Sequence, residues 1–462
     1  MFSNWLRKKP IQSHAETSSL HRTLNAFDLT MFGIGAIIGA GVFVITGIAA
    51  ATKGGPAIVI SYIIAGMAAL FAALAYTELA SSIGGTGSAY TYAYTGFGEI
   101  IAWLIGWDLL LEYAMSVSTV AIGWAGYVNN LLHAMHIYIP EIITKNPFDG
   151  GIINLLAMLI IIAISTILCI GIKQSARFNT AVVFIKLITI AMFIVVAVHH
   201  INIRNWSNFL PFGWNGVMQG AALVFFAYIG FDALSTAVEE TINPQRNIPI
   251  GIIGSLLSCT IIYIIVSALL TSIVSYTKLN VDSPVADALL QLGHRTAAGF
   301  IAAGAIAGLT TVILVMSYGL TRISLAIARD GLLPIALGKI NSRTHTPIRI
   351  AVLTGIIMAL VSGFVPIQYA AELVNIGTLA AFVFVCVGVI VLRITHPDME
   401  RPFKLPFNPF LPLMGVGFCL YLMFNLSPIT WLRFGLWMLV GLVIYLAYGQ
   451  KHSVLKNTSH QP

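Results

Sequence analysis

Residues 178–198 of the chain read FNTAVVFIKLITIAMFIVVAV. As a helix this stretch is long enough to cross about 30 Å of hydrocarbon, and it contains one charged residue, Lys186. A lone ammonium at the centre of a membrane helix costs about 2.5 to 3.5 kcal/mol on insertion scales, so it should be there for a structural or functional reason. The stretch therefore predicts a membrane helix with a special site at its middle.

The rest of the chain repeats this apolar pattern. Of 462 residues, 58% are hydrophobic and 9% charged, and alternation in ten-residue units is absent, which favours helices over a transmembrane barrel. Short polar connections separate twelve segments long enough to span, near residues 29–50, 57–80, 98–131, 151–172, 178–198, 214–237, 249–276, 297–328, 348–365, 370–393, 409–425 and 431–448. We predict an all-α integral membrane protein with 12 transmembrane helices.

Lysine and arginine in the connections predict the orientation. With the N terminus in the cytoplasm, sixteen of them fall on the cytoplasmic side and six on the other, as the positive-inside rule requires. Residues 1–28 and 451–462 are then cytoplasmic segments, and the protein is a multi-pass protein of the cytoplasmic membrane with membrane lipids as partners. Because this bias accounts for the net charge of +7, no nucleic-acid partner is expected.

The sequence offers little support for an enzyme or a metal centre. The four cysteines lie within apolar spans without CxxC spacing, as small packing residues do. No HExxH motif, GxSxG motif or histidine cluster lies in the spans. We therefore expect no catalytic site, no cofactor and no metal.

Two spans carry glycines at positions where a helix can break. The first contains GIGAIIGAGVF, residues 33–43, in which Gly39, Ala40 and Gly41 are consecutive small residues near mid-depth. Glycines four apart can also mean close helix packing, but three small residues in a row favour unwinding. The sixth span has Gly230 at mid-depth, followed by Asp232, which is suited to cap a half-helix beginning after a break.

Two breaks five spans apart have a topological consequence. Since five is odd, spans one to five and six to ten would run in opposite directions, as in inverted-topology repeats. That architecture places a small-molecule site at mid-membrane between the interruptions. Amides of one half-helix would meet a carboxylate and unwound carbonyls an ammonium, which suits a zwitterionic amino acid. Interrupted helices also suit a carrier better than a channel.

Several motifs resemble those of a transporter family. These are GIGAIIGAGVF, GSAYTYAYTGFGE (87–99), GWDLLLEY (106–113), FAYIGFDALSTAVEETINPQRNIPIGI (226–252) and TRISLAIARDGLLP (321–334). Together they resemble the amino acid-polyamine-organocation superfamily, and within it bacterial members of the cationic amino acid transporter family. The resemblance implies a five-plus-five inverted-repeat core at residues 29–393, two further helices at 394–450, and secondary transport of L-amino acids.

Matching the motifs residue by residue implies a binding site. The resemblance places the substrate carboxylate at Ile37, Gly39, Ala40 and Gly41, the amino group at the carbonyls of Phe226, Ala227 and Ile229, a gate at Phe226 or Phe231, and the side-chain pocket at Met316. A methionine there would favour small or medium apolar substrates, although a core methionine explains it equally well. Glu112 matches a cavity-lining position, where it would contact substrate or water or else stabilise the bundle.

Lys186 matches a position that, in proton-coupled relatives, takes the place of a sodium ion. Burial disfavours the charged form of lysine, so a buried lysine can exchange its proton within a physiological range. The resemblance therefore implies proton as a second partner and proton-coupled symport, with an amino acid exchanger as the alternative and a permanently charged strut as the structural reading. Small accessory membrane peptides and self-association are further partner classes left open.

Overall fold

The computed structural model describes residues 7–9, 24–83, 88–170, 176–344 and 346–458. Of the predicted polar ends, residues 1–6, 10–23 and 459–462 lie outside the described residues. The described chain is all-helical apart from turns and a single β-bridge between Leu24 and Thr241. Its main helices are α1 (Ala26–Ile37), α2 (Ile58–Ser82), α3 (Ala89–Gly96), α4 (Glu99–Ala134), α5 (Leu155–Ile170), α6 (Ala176–Val198), α7 (Gly213–Val224), α8 (Pro244–Ile273), α9 (Pro284–Gln291), α10 (Arg295–Arg329), α11 (Ile348–Phe364), α12 (Ile367–Thr395), α13 (Phe410–Phe424) and α14 (Pro428–Ile444).

Each of the twelve predicted apolar segments contains helical residues in the described part of the chain. Within the described residues, eight helical stretches are long and apolar enough to cross a membrane, and four shorter apolar helices accompany them: Ala26–Ile37, Leu155–Ile170, Ile348–Phe364 and Phe410–Phe424. The short helices α3 and α9 lie in connections and were not predicted, because each is only eight residues long.

The first and sixth predicted spans are interrupted. Helix α1 ends at Ile37, Ile38 is extended with φ −72° and ψ 104°, and the chain continues as a π-helix over Gly41–Ile45, a short α-helix over Thr46–Ala49 and a second π-helix over Ala50–Gly54. Helix α7 continues as a 3-10 helix over Phe225–Tyr228, stops at an extended Ile229, and resumes as a 3-10 helix over Phe231–Glu240. The remaining membrane-length helices lack such a gap.

The long helices α4 and α10 form the centre of the bundle. They pack along each other, and α4 also packs against α11 and α12. Helix α1 lies against α8 and α6, and α6 packs in turn on α10. The core is filled with small and aromatic side chains, and it also holds Lys186, whose side chain is fully buried. Both breaks are buried within the bundle, with Ile38 0% and Ile229 5% exposed.

The two ends of the described chain lie on the same side of the bundle. Lys9 Nζ forms an ion pair with Asp330 at 2.6 Å, directly after α10. The amide of Val454 donates to the carbonyl of the same aspartate at 3.1 Å. These contacts bring residues near the two ends of the chain together at the end of α10.

Candidate binding site between the two helix breaks

The first break leaves main-chain groups without helical partners. Since Ile38 is extended, the carbonyls at the end of α1 and the amides at the start of the next helical turn lose their partners four residues away. Among the hydrogen bonds of the described residues, none is donated by the amide of Gly39. The start of the second half-helix, at Gly39 to Gly41, therefore presents amides and the positive end of a helix dipole.

Lys186 donates hydrogen bonds to two carbonyls of this break. Its ammonium nitrogen donates to the carbonyl oxygen of Gly35 at 2.7 Å and to that of Ile38 at 3.0 Å. Its alkyl chain lies against Gly308 on α10, where a Cβ atom would come within 2.9 Å of Lys186 Cγ and 3.0 Å of Cε. The lysine thus links α1 to α6. Its side chain fits between the helices because residue 308 is glycine.

The second break is held by a carboxylate. Gly230 has φ +114°, a conformation that L side chains rarely adopt. Asp232 Oδ1 accepts a hydrogen bond from the amide of Gly230 at 3.2 Å, and Tyr113 Oη donates to Oδ2 at 3.3 Å. The carboxylate also faces the amides of its own residue and of Ala233. Asp232 is the second residue of the segment that starts after the break, and its carboxylate accepts from the amide of the residue directly before that segment.

The two breaks touch each other. A Cβ at Gly41 would overlap the Cα and Cβ atoms of Ala227, and a Cβ at Gly230 would lie 2.9 Å from the carbonyl oxygen of Ala36. Gly39 differs, since a Cβ there would make an ordinary contact of 3.5 Å with Val312. Gly41 is therefore required for close approach of the two chains, whereas Gly39 faces more open space.

Tyrosine hydroxyls support both breaks from the side of α2 and α8. Tyr263 Oη lies 3.0 Å from the carbonyl of Ile37 and 2.9 Å from that of Ala227, so one buried hydroxyl bridges the two interrupted chains. Tyr62 Oη contacts Thr46 Oγ1 at 2.6 Å and the carbonyl of Gly41 at 3.2 Å. The two rings pack with centroids 5.4 Å apart. The cluster fixes the breaks relative to each other.

A small cavity lies between the breaks. Its volume of about 20 Å³ is enough for one water-sized molecule, so the helices close over it in this conformation. It is lined by Ala36, Ile37, Gly39, Ala40, Gly41, Ser116, Val120, Phe226, Ile229, Val312 and Met316.

The structure brings many of the predicted residues together around this cavity. Ile37, Gly39, Ala40 and Gly41 line one wall, and Phe226, Ile229 and Met316 line another. The carbonyl of Ile229 receives no hydrogen bond among the described residues, whereas that of Phe226 accepts from the Ile229 amide at 3.3 Å. A carbonyl oxygen has two lone pairs, so either can accept from a ligand.

Other predicted residues lie outside the cavity lining. The Ala227 carbonyl is engaged by Tyr263, and Phe231 packs in an aromatic cluster with its ring 5.0 Å from that of Phe382. Glu112 is buried one helical turn from Ser116, beside Thr378 and near Asp232. Lys186 and Asp232 form hydrogen bonds with the backbone of the breaks but do not line the cavity.

Sequence reasoning missed Ser116, Val120, Val312 and Tyr263. A signal existed for two of them. Ser116 follows Glu112 by four residues and so shares its helical face, and Tyr263 places a hydroxyl in the middle of an apolar helix, where it needs a partner. Val120 and Val312 carry no such signal, because aliphatic side chains are common throughout the spans. In the described part of the chain, no group of three or more metal-ligating side chains is found.

Comparison with known proteins shows the family of this chain. The family model described as amino acid permease matches residues 24–446. The chain is 48% identical to the branched-chain amino acid permease BcaP of Bacillus subtilis, over 97% of this chain and 98% of that protein. It is 47% identical to the methylthioribose transporter of the same organism, over 98% and 99%, and 33% identical to BcaP of Lactococcus lactis, over 97% and 99%. The chain belongs to the amino acid permease family and is a membrane transport protein rather than an enzyme.

Proposed function

We propose that this chain is a secondary active transporter that moves neutral L-amino acids across the cytoplasmic membrane by alternating access, in symport with protons. One observation carries the proposal: two helix breaks of opposite polarity face one cavity. Amides at Gly39 to Gly41 lie at one wall and the free carbonyl of Ile229 at another. A carboxylate and an ammonium on the same carbon atom match these two walls.

The side-chain part of the cavity suits uncharged side chains of modest size. Val120, Val312 and Met316 form most of it, and the described residues that line the cavity include no charged side chain to pair with a cationic substrate. The name of the Bacillus subtilis relative, a branched-chain amino acid permease, fits the same size class. We therefore take L-valine as the first probe.

The architecture we propose is that of twelve transmembrane helices. The first ten form two inverted halves, residues 29–393, each beginning with a broken helix. Residues 394–450 add two further helices. The termini are cytoplasmic, which is supported by their contacts on one side of the bundle and by the lysine and arginine bias of that side.

Coupling to protons is assigned to Lys186. None of the four ion pairs among the described residues involves this lysine, so its ammonium is compensated only by the two carbonyls. A substrate carboxylate at Gly39 to Gly41 would lie on the other face of the same break and would stabilise the protonated lysine. By linkage, the proton then strengthens binding of the carboxylate to the same degree. Loss of the proton weakens the hydrogen bonds from Lys186 to the carbonyls at the end of α1. This favours a change of conformation.

Uptake by purified protein in liposomes tests this function. An inward proton gradient should drive accumulation of labelled L-valine, whereas a sodium gradient alone should not. Counterflow of labelled against unlabelled valine should proceed without any gradient. Equal counterflow with no response to a proton gradient would show the alternative, an amino acid exchanger. A strict sodium requirement would contradict the role given to Lys186.

Methylthioribose is a second candidate substrate, favoured by the 47% identity to a transporter of that name. It lacks the carboxylate and ammonium that the two breaks suit. A thermal-shift screen separates the candidates, since a ligand at 100 times its Kd adds about 2.7 kcal/mol of apparent stability. Stabilisation by methylthioribose and by none of the common amino acids would reject the amino acid proposal.

A further inference from the structure

One hydroxyl stands out in the side-chain part of the cavity. Ser116 on α4 is the only residue with a polar side chain among the described residues that line the cavity. Its side chain is 3% exposed, and its Oγ has no hydrogen-bond partner in the described part of the chain. Buried polar groups are normally paired, so an unpaired hydroxyl aimed at a cavity needs an explanation.

Neighbouring hydroxyls on the same helix behave differently. Ser118 Oγ donates to the carbonyl of Ala114 at 2.9 Å and to that of Met358 at 3.1 Å. Thr119 Oγ1 donates to the carbonyl of Met115 at 2.8 Å. Bonding to the carbonyl four residues earlier is the usual solution for serine and threonine within helices. Ser116 does not use this solution, although its position on α4 offers the same carbonyl geometry.

We propose that Ser116 Oγ recognises the substrate side chain and selects amino acids with a hydroxyl on the β-carbon, such as L-threonine, over apolar isosteres such as L-valine. This inference rests on the proposed amino acid transport. With the carboxylate at the amides of Gly39 to Gly41 and the amino group at Ile229, the substrate side chain is directed toward the side chains of α4 and α10. A β-hydroxyl there would pair with Ser116, and the methyl groups of Val120 and Val312 would surround the rest.

The physical basis is the asymmetry of buried hydrogen bonds. A substrate hydroxyl that pairs with Ser116 leaves both groups satisfied, whereas a methyl group in its place leaves the serine unpaired. Sites that hydrogen-bond a substrate hydroxyl therefore reject the analogue that lacks it more strongly than an apolar pocket rejects an added hydroxyl. One neutral hydrogen bond corresponds to a preference of about fivefold to tenfold.

The test is the ratio of kcat/KM for L-threonine to that for L-valine, measured by uptake into liposomes. The native protein should prefer threonine by about fivefold to tenfold. In Ser116→Ala the ratio should fall to about one, because valine then meets a methyl group and threonine loses its partner. Ser118→Ala is the matched control: it removes a serine hydroxyl two residues away that bonds to its own helix and to α11, and it should keep the native ratio.

Each outcome decides a different question. Normal valine uptake with the same ratio in native protein and Ser116→Ala would overturn this inference and leave the proposed function standing. The same fall in both serine variants would also overturn it, since the effect would then belong to helix packing. If folded native protein takes up neither amino acid, the proposed function fails and this inference fails with it.

Discussion

At the first break, Lys186 donates to two carbonyls from behind the unwound chain, whereas at the second break Asp232 accepts from an amide. The difference shows how a pair of breaks acquires opposite polarity. The cation occupies spare carbonyls of the first break and leaves amides toward the cavity. The anion occupies a spare amide of the second break and leaves carbonyls. Each buried charge therefore selects which main-chain groups a ligand meets.

The two breaks also differ in how they depend on glycine. At the second break, Gly230 is needed for its backbone conformation, with φ +114°. At the first break, Gly41 is needed for space, because a side chain would overlap Ala227 of the other break.

Gly41→Val should have the largest effect. A side chain at this position meets the main chain of Ala227, which cannot move aside as a flexible side chain would, and overpacking of this kind costs about 3 kcal/mol or more. We expect a clear loss of thermal stability and no transport. Gly39→Ala is the control, because its Cβ makes an ordinary contact at 3.5 Å. Equal stability losses in the two variants would contradict the close approach of the breaks.

Lys186→Met should abolish coupling while sparing the site. Methionine fills the slot against Gly308 and removes the titrating group, so proton-driven accumulation of valine should fall to the background level. Counterflow should persist, because the cavity-facing amides and carbonyls remain. Both assays use the same liposomes. Full proton-driven accumulation by the variant would show that Lys186 has a structural role and no role in coupling.

Asp232→Ala should weaken the second break more mildly. Loss of a side-chain cap typically costs about 1 kcal/mol, here through the amide of Gly230. Asp232→Asn keeps an oxygen acceptor and should lose less stability than the alanine variant. Thermal unfolding of the two variants measures the difference. If asparagine is as destabilising as alanine, the negative charge rather than the acceptor holds the break.

Met316→Ser should change selectivity and little else. Met316 lines the cavity, and its Cε lies 3.1 Å from the position of a Cβ at Gly230. Serine removes most of that volume, so longer side chains should compete better for uptake by about tenfold. Competition by L-leucine, L-methionine and L-arginine against labelled valine measures the change. An unaltered pattern of competition in a folded variant would show that Met316 is a core residue with no role in selectivity.

The sequence predicted the two helix breaks because the residues that favour a break are neighbours in the chain. Consecutive small residues at Gly39 to Gly41 predicted the first break, which begins one residue earlier at Ile38. The lone charge of Lys186 predicted a special site at the middle of its helix, and there the structure places its ammonium against two carbonyls of the broken first helix. The lysine is informative because charged side chains are rare within membrane spans.

The walls of the cavity were harder to predict. Ser116 and Val312 come from helices far apart in sequence. Both face the cavity because α4 packs on α10, and no sequence motif indicates this. Glu112 matched a cavity-lining position, with stabilisation of the bundle as the alternative; it lies on the same face of α4 as Ser116 but one turn away along the helix, and it does not line the cavity. Long-range packing decides these positions, and a single sequence does not encode it in a readable pattern.

We propose that the two breaks bind the two charges of one amino acid. L-valine methyl ester and N-acetyl-L-valine each remove one charge and keep the side chain, so their competition against labelled L-valine uptake tests this binding mode. We predict that unlabelled valine competes and that neither blocked form does, even at concentrations about 100 times higher. Effective competition by both blocked forms would contradict a site built from amides at one break and carbonyls at the other.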